Sequence, residues 1–486
     1  MVARRSISTL SYNLPNASGG AEIKPRQWQQ QLIQLLRRRL ERGKPSERDV
    51  LVFAGPGAGK TLGALLGFRA MQREQRLQHF MVFCHRTSIL SQWSAAAARL
   101  GLRLQEWPCD AAAAEAADGL LITYQGAGRQ LNQLQQQLSL WDPKHCLAIA
   151  DEAHHLGVDP DDPDSTAWGQ TFLELTEPCG LRMGLTGTPF RADNLGFCAA
   201  RRVRVRLEGV MVEQICPDLA VEPRELIAAG DVRPLEFRFQ DGWVEHSKEG
   251  LPDRDVSPLS AETRESWRAR NLRRAIQLHD ENSIGQQLLQ RAQRKLKQLR
   301  LQHRRAAGLV IARDIDHARA ITELLEEDGN QVDLVHSQEP GAMERLNGFQ
   351  QGSADWLVSI DMCAEGFDAP RIRVVAYLTT VVTRSRFLQG ITRAVRMTPD
   401  LAASEPVPRH SSFVFAPADP LLMGYARNWS LAEPYVIQPS EESLLEEEGG
   451  GGSWRGPSLP LEAVEDGAGN VIRMRSPELP GFLQRG

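Results

Sequence analysis

The sequence predicts an α/β protein with two domains, each built on a parallel β-sheet covered by helices. A chain of 486 residues is too long for one ordinary hydrophobic core, so two or three domains are expected. Short apolar runs, which are typical of buried strands, alternate with helical stretches, and this alternation favours parallel sheets. The alternation occurs as two separate series, and the first series ends near Cys216.

The elements of both series can be placed along the chain. The first series begins with a helical pattern that starts at Lys24 and includes Trp28. Its strand candidates are residues 50–54, 81–84, 120–124, 146–150 and 182–185. The second series has strand candidates at residues 308–312, 332–336, 356–360, 374–378 and 412–416. The two series predict domains at residues 21–215 and 216–436.

Three further segments differ from these series in composition. Residues 1–20 are rich in Ser, Asn and Gly and predict a flexible N-terminus. Residues 261–305 are dense in arginine and largely helical in pattern, which predicts a basic helical insertion attached to the second domain. Residues 437–486 contain an acidic run and a glycine run, which predict a flexible tail.

Composition limits the environment and the partners. The chain is 42% hydrophobic and 24% charged, as soluble globular proteins are. It lacks the run of about eighteen apolar residues that a membrane span needs, so we expect no membrane partner. Seven scattered cysteines without paired spacing argue against a disulfide framework or a zinc site, and predict a reducing, cytoplasmic location. With a net charge of only −4, a nucleic acid would be held by a local basic surface or by backbone amides.

A glycine-rich loop at residues 54–61, AGPGAGKT, fits the Walker A or P-loop pattern. Successive glycines let backbone N–H groups converge on one point, and the following helix directs its positive end there. We predict ATP and Mg²⁺ as ligands, with Lys60 reaching the β- and γ-phosphates and Thr61 ligating Mg²⁺. The remaining predicted nucleotide contacts are Gly55, Pro56, Gly57, Ala58 and Gly59. The alternative is a glycine-rich turn that contains Lys-Thr by chance.

An acidic pair, Asp151 and Glu152, follows the predicted strand at residues 146–150. Open α/β sheets bind ligands at the carboxyl ends of their strands, which is where this pair would lie. Asp151 is suited to hold Mg²⁺ through water, and Glu152 can orient and deprotonate the attacking water. By itself the pair could equally cap the next helix, but its position downstream of the loop favours catalysis.

With these motifs in place, the chain resembles the superfamily 2 helicases that carry a DEAH box. The most similar branch holds the helicase subunits of type III restriction enzymes and the XPB-like DNA helicases. The resemblance covers about residues 24–428 and implies two tandem RecA-like domains. In the first domain it assigns Arg26 and Gln29 to the nucleotide, with Gln29 reading the adenine edge. It assigns Arg86 and Thr123 to the nucleic-acid backbone, and residues 184–191 to the coupling motif.

In the second domain the resemblance covers two motifs. Gly366 and Asp368 belong to the first of these and would line the cleft between the domains. Gln389, Arg393 and Arg396 belong to the second, and their spacing predicts one face of a helix. The two arginines would meet the γ-phosphate as arginine fingers, and all three residues are predicted to be catalytic.

Together these features predict an ATP-dependent DNA helicase or translocase, in which hydrolysis between two RecA-like domains drives movement on nucleic acid. The alternatives are an RNA helicase, a motor subunit that needs a protein partner in a repair or restriction-defence complex, and a nucleotide-gated module that does not hydrolyse ATP. The branch resemblance favours DNA over RNA. The intact set of Lys60, Glu152 and Arg396 argues against the module. The basic segment at 261–305 predicts either an additional nucleic-acid track or a solvated helix face.

Overall fold

The computed structural model describes residues 23–42, 47–85, 89–153, 156, 163–187, 201–207, 210–247, 254–278, 283–336, 341–360, 367, 369–429 and 435–437. The chain divides into two compact units, of which the first runs to Val221 and the second begins at Glu222. Residues 55–58 group with the second unit and residues 435–437 with the first.

The first unit is an α/β domain on a parallel sheet. Its helices are α1 (Gln27–Arg42), α2 (Lys60–Arg73), α3 (Leu90–Arg99), α4 (Ala111–Ala116), α5 (Tyr124–Arg129), α6 (Leu131–Leu138) and α7 (Pro163–Thr176). The sheet strands are β1 (Asp49–Ala54), β2 (His79–Cys84), β3 (Leu104–Glu106), β4 (Gly119–Thr123), β5 (Cys146–Asp151), β6 (Leu181–Thr186) and, after the pair β7 (Arg201–Leu207) and β8 (Val210–Cys216), β9 (Leu219–Val221). The strand order is β3-β4-β2-β5-β6-β1-β9, and all neighbours are parallel.

The burial of the central strands explains why they could be predicted from apolar runs in the sequence. Every residue of β5 and β6 is buried, as expected for strands covered on both faces, and such strands appear in sequence as continuous apolar runs. All five strands predicted for the first domain are present. Outside the sheet, β7 and β8 form an antiparallel pair.

Two glycines let α1 pack closely on α2. A Cβ atom on Gly63 would lie 2.5 Å from Cη2 of Trp28, and one on Gly67 would lie 2.7 Å from Cδ1 of Leu36. Gly63 and Gly67 are one helical turn apart and therefore face the same side of α2. The apolar face of α1 is buried against this smooth surface, and α1 also carries Gln29, one of the predicted nucleotide ligands.

The second unit is a second α/β domain on a parallel sheet. Its helices are α8 (Pro223–Ala228), α9 (Glu265–Ala275), α10 (Ile284–Arg300), α11 (Ile315–Glu327), α12 (Ala342–Gln351), α13 (Arg384–Ile391), α14 (Pro399–Ser404) and α15 (Pro420–Asn428). Its strands are β10 (Leu235–Gln240), β11 (Trp243–Ser247), β12 (Arg254–Pro258), β13 (Ala307–Ala312), β14 (Val332–Val335), β15 (Trp356–Ile360), β16 (Ile372–Leu378) and β17 (Ser412–Pro417). The parallel sheet has the order β10-β17-β16-β13-β15-β14, and β11 and β12 form an antiparallel hairpin.

The basic segment at 261–305 is integrated into this second unit. Helix α10 packs against β16 and β17 and buries an apolar stripe that includes Leu288, Ala292 and Leu296. In α9, Arg268 is buried and forms an ion pair with Asp419, with 2.8 Å between Nη1 and Oδ2. The segment predicted as an insertion therefore supplies part of the domain core, because α10 buries its apolar stripe against the sheet.

The ends of the chain fall largely outside the described residues. The last described element is β18 (Tyr435–Ile437), which pairs antiparallel with β8. The predicted flexible segments, 1–20 and 437–486, lie outside the described residues except for Ile437. Within the part of the chain that is described, no helix has both the length and the apolarity to cross a membrane.

Candidate nucleotide site

The predicted phosphate loop connects β1 to α2. Gly57 and Gly59 have φ angles of 78° and 82°, in the left-handed region that glycine adopts at little cost. The amide of Ala58 donates to the carbonyl oxygen of Gly55 at 3.1 Å, which closes a tight turn. Helix α2 begins immediately afterwards at Lys60. Residues 55–59 thus form a glycine-dependent turn that leads into a helix N-terminus, the arrangement that binds phosphate groups.

Lys60 and Glu152 meet at the carboxyl edge of the first sheet. Nζ of Lys60 lies 3.0 Å from Oε1 of Glu152, and both side chains are partly exposed, Lys60 to 14% and Glu152 to 31%. Lys60 follows β1 and Glu152 follows β5, the two strands that flank β6. Glu152 has a φ of 47°, which is unusual for a residue with a side chain. The structure therefore brings together two predicted catalytic residues that are far apart in the sequence.

Asp151 lies next to this pair and is buried, with 5% of its surface exposed. Its Oδ1 accepts from the amide of Glu152 at 3.0 Å, and its Oδ2 accepts from the indole Nε1 of Trp93 at 2.8 Å. Burial and the neighbouring Glu152 carboxylate raise the pKa of Asp151 to about 6, against the opposing effects of Lys60 and Trp93. The two adjacent carboxylates share the charge of Lys60.

This environment fits Mg²⁺. The cation prefers hard oxygen ligands, and the carboxylate of Asp151 and the hydroxyl of Thr61 in the first turn of α2 are of that kind. A divalent charge would also offset the repulsion between Asp151 and Glu152, which now raises the pKa of Asp151. Thr61 and Asp151 stay the predicted ligands of the ion.

Gln29 is buried in α1 and contacts the phosphate loop directly. Its Nε2 donates to the carbonyl oxygen of Gly59 at 3.2 Å, and its Oε1 accepts from the amide of Arg26 at 2.9 Å. A Cβ atom on Gly59 would lie 3.2 Å from this Nε2, so the close approach depends on glycine. Both ends of the Gln29 amide are thus engaged with the protein, and its role in reading adenine stays a prediction.

The predicted nucleic-acid contacts of the first unit are only partly described. Arg86 lies outside the described residues. Thr123 is the N-cap residue of α5, where its Oγ1 accepts from the amide of Gly126 at 3.0 Å. In the coupling motif, Thr186 is buried at the end of β6. Thr123 thus has a structural role in addition to the predicted contact with nucleic acid.

In the second unit, the backbone around Gln389, Arg393 and Arg396 differs from the predicted helix. Helix α13 ends at Ile391, residues 392–395 form a 3₁₀ turn, and Arg396 has an extended backbone. The prediction that the three residues share one helical face was therefore wrong. At this point the chain tightens into the 3₁₀ turn, and the hydroxyl of Thr392 donates to the carbonyl oxygen of Leu388, a bond that slightly weakens a helix.

The side chain of Arg393 bonds within the second unit. It is buried, and its Nη1 donates to the carbonyl oxygen of Phe367 at 2.5 Å, which links the two motifs predicted in the second domain. Gly366 and Asp368, on either side of Phe367, lie outside the described residues. Gln389 and Arg396 are half-buried.

Sequence reasoning missed Trp93 and Tyr124 as members of this site. The indole of Trp93 contacts Asp151. Tyr124 donates its hydroxyl to the carbonyl oxygen of Asp151 at 2.9 Å. No spacing rule predicts either contact, because both depend on how neighbouring strands are ordered in the sheet.

Comparisons with known proteins agree with this architecture. A fragment described as an HsdR subunit of a type I restriction enzyme from Vibrio vulnificus YJ016 is 18% identical, with a TM-score of 0.53 over 84% of this chain and 67% of that chain. The ATP-dependent type ISP restriction-modification enzyme LlaBIII bound to DNA is 13% identical, with a TM-score of 0.50 over 81% of this chain and 28% of that chain. These similarities establish the fold, with its two tandem RecA-like domains.

Family models match both units. Residues 22–191 match the type III restriction enzyme res subunit, and residues 291–398 match the helicase conserved C-terminal domain. The two matches assign residues 22–191 and 291–398 to helicase-type domains of superfamily 2, the first of them in its restriction-enzyme-like branch. The chain is 30% identical over 408 residues to the uncharacterized protein Rv2917 of Mycobacterium tuberculosis. That match spans 82% of this chain but only 63% of the relative's length.

Proposed function

We propose that this protein is an ATP-dependent DNA translocase or helicase that hydrolyses ATP at the Lys60–Glu152 site. One observation carries the proposal: a glycine-dependent phosphate turn, a lysine and two acidic residues lie together at the carboxyl edge of one parallel sheet. This arrangement supplies positive charge for phosphates, oxygen ligands for Mg²⁺ and a carboxylate for the attacking water.

Each residue has a specific task in the proposed reaction. ATP phosphates compete with Glu152 for the ammonium of Lys60, so nucleotide binding releases the Glu152 carboxylate from its ion pair. Glu152 then orients a water molecule whose oxygen attacks the γ-phosphorus while the bond from that phosphorus to the bridging oxygen of ADP breaks. Glu152 accepts the proton that the water loses. Thr61 and Asp151 would hold Mg²⁺, which would supply positive charge to offset the charge that develops on the phosphate oxygens.

The second unit contributes to hydrolysis in this proposal. We assign the arginine finger to Arg396, because Arg393 is buried and donates to the carbonyl oxygen of Phe367. Arg393 would then hold Phe367 through its carbonyl oxygen, and Gly366 and Asp368 stay predicted ligands. Gln389 stays a predicted catalytic residue.

DNA is the preferred polymer in this proposal, since the matching family model is that of a restriction-enzyme subunit. A role as the motor of a restriction, defence or repair complex follows from the same similarity. An RNA substrate is the alternative. The test is to measure ATP turnover by the full chain with single-stranded DNA, duplex DNA and RNA in parallel, using Glu152→Gln as the inactive control. Stimulation by RNA alone would overturn the DNA assignment, and turnover unaffected by Glu152→Gln would overturn the proposed site.

A further inference from the structure

Two aromatic side chains hold Asp151 from two different helices. Trp93, in α3, donates its indole N–H to Oδ2 of Asp151 at 2.8 Å. Tyr124, at the start of α5, donates its hydroxyl to the main-chain carbonyl oxygen of the same residue at 2.9 Å. Trp93 and Tyr124 are almost fully buried, with exposed fractions of 0% and 1%. Both hydrogen bonds are therefore shielded from water, which strengthens them. The bond from Trp93 is further strengthened because its acceptor is a carboxylate.

These bonds fix the orientation of the carboxylate. Trp93 donates to Oδ2, and the amide of Glu152 donates to Oδ1 at 3.0 Å. A carboxylate with a donor on each oxygen cannot rotate about its terminal bond without breaking one of the two bonds. Each oxygen keeps a further lone pair, because a carboxylate oxygen can accept two hydrogen bonds or ligate a cation with the second.

The two donors act on different parts of the residue. Trp93 acts on the side chain, whereas Tyr124 acts on the backbone at the point where β5 ends and Glu152 takes up its left-handed conformation. Helices α3 and α5 follow β2 and β4, the next two strands on that side of β5 in the sheet. The position of Asp151 is therefore set by the packing of its neighbours as well as by its own strand.

We propose that Trp93 and Tyr124 are positioning residues that hold Asp151 in the orientation needed to bind Mg²⁺ with ATP. This inference rests on the proposed function, since it takes Asp151 as the metal-binding carboxylate. Groups that hydrogen-bond to a metal-binding side chain typically change metal affinity about 10-fold to 100-fold when removed. Loss of the indole N–H should therefore weaken the contribution of Mg²⁺ to ATP binding, and leave the contribution of the phosphate loop intact.

The experiment compares ATP binding by calorimetry with Mg²⁺ and with EDTA, in the full chain. Trp93→Phe removes the donor and keeps an aromatic ring in the core. We expect this variant to lose about 10-fold of the affinity gain that Mg²⁺ provides, with the affinity for ATP in EDTA changed less than about twofold.

Trp107→Phe is the matched control. Trp107 is also buried and belongs to the hydrophobic core that contains Tyr124, but among the described residues its indole nitrogen has no hydrogen-bond partner. Its replacement should leave both affinities at the wild-type level. The proposal would be overturned if Trp93→Phe lost the same ATP affinity with Mg²⁺ as with EDTA. It would also be overturned if Trp107→Phe lost as much of the Mg²⁺-dependent affinity as Trp93→Phe.

Tyr124→Phe decides the question if Trp93→Phe does not fold, because it removes a single oxygen atom. It should lower the Mg²⁺-dependent gain in the same direction, and an unchanged gain would also overturn the proposal. Measurements on the wild-type protein separate the proposed function from the positioning role of Trp93 and Tyr124. If wild-type ATP affinity does not depend on Mg²⁺, the proposed function fails before the role of Trp93 is tested.

Discussion

Lys60 and Glu152 form an ion pair of 3.0 Å across the carboxyl edge of the first sheet, although 92 positions separate them in the sequence. The lysine follows the phosphate loop and the glutamate follows the strand that carries Asp151. One side chain is expected to bind phosphate and the other to activate water, so substitutions at the two positions should have different effects.

Lys60→Ala should remove ATP binding and hydrolysis together, because the phosphates lose their main cationic partner. Glu152→Gln should abolish hydrolysis stimulated by nucleic acid but keep ATP binding at the wild-type level or tighter, because Lys60 loses its ion pair with Glu152. Turnover measured beside ATP affinity checks both expectations. Equal loss of binding in the two variants would contradict the division of roles.

Gly63→Ala should destabilise the first unit. The added Cβ would lie 2.5 Å from a ring carbon of Trp28 where α1 packs on α2, so the ring or the helix must shift. Overpacking of this kind typically costs about 1–3 kcal/mol. Gly424→Ala in α15 is the control, because a Cβ there meets no atom within 4 Å and alanine favours a helix by roughly 0.5–1 kcal/mol. Thermal unfolding of the two variants should shift in opposite directions, and a Gly63→Ala protein as stable as wild type would refute the packing argument.

His317 should make the stability of the second unit fall in acid. Burial lowers the pKa of His317 to about 4, and its ring bonds to the carbonyl oxygen of Ile276 and to the amide of Arg313. The unfolded chain binds a proton at the ordinary pKa of 6.5, so between pH 6.5 and pH 4 protonation favours unfolding. The free energy of unfolding should therefore fall by about 2 kcal/mol between pH 7 and pH 5.

The measurement is denaturant unfolding of wild type and His317→Gln at pH 7 and pH 5. Glutamine keeps a donor that can reach Ile276 but does not titrate. The stability advantage of wild type over the variant should therefore shrink as the pH falls. An advantage that is the same at both pH values would show that the neutral form of His317 is not specifically stabilised.

The exposed face of α10 offers a test of the additional nucleic-acid track. Arg291, Arg294 and Lys297 are exposed, whereas Arg268 in α9 is buried in its ion pair with Asp419. Replacing the three exposed residues with glutamine should leave unfolding unchanged and lower the slope of log affinity against log salt by about 1 for each phosphate that is no longer neutralised. Arg268→Gln is the contrasting variant, because an unpaired Asp419 should destabilise the domain by about 3–5 kcal/mol. An unchanged salt slope in the triple variant would favour the solvated-face interpretation.

The sequence predicted the fold well because its strands are buried on both faces. β5 and β16 are buried at every position, so they appear as short apolar runs that can be recognised without knowledge of their neighbours. The same applies to the phosphate loop, since the conformations of Gly57 and Gly59 follow from local geometry. The positions of Lys60, Asp151 and Glu152 then followed from the rule that ligands bind at the carboxyl edge of a parallel sheet.

What the sequence could not predict depends on contacts between distant segments. Trp93 meets Asp151 because β2 and β5 are neighbours in the sheet, and that order is not written in the spacing of either motif. The helix that was expected to present Arg393 ends at Ile391, and Arg393 instead lies in a 3₁₀ turn where it donates to the carbonyl oxygen of Phe367. The arginines of α9 and α10 also dominated the sequence pattern, so the apolar stripe that places α10 against the second sheet was overlooked.

At position 152 the left-handed backbone would be more stable with glycine, whereas the proposed hydrolysis needs the carboxylate of glutamate. A residue with a side chain is less stable than glycine in that conformation by roughly 1–2 kcal/mol, and the φ of 47° at Glu152 lies within it. Glycine would relieve the backbone but would also remove the carboxylate. Directed evolution that rewards heat tolerance alone should therefore enrich glycine at this position and return robust proteins that have lost turnover, whereas selection for turnover should keep the glutamate.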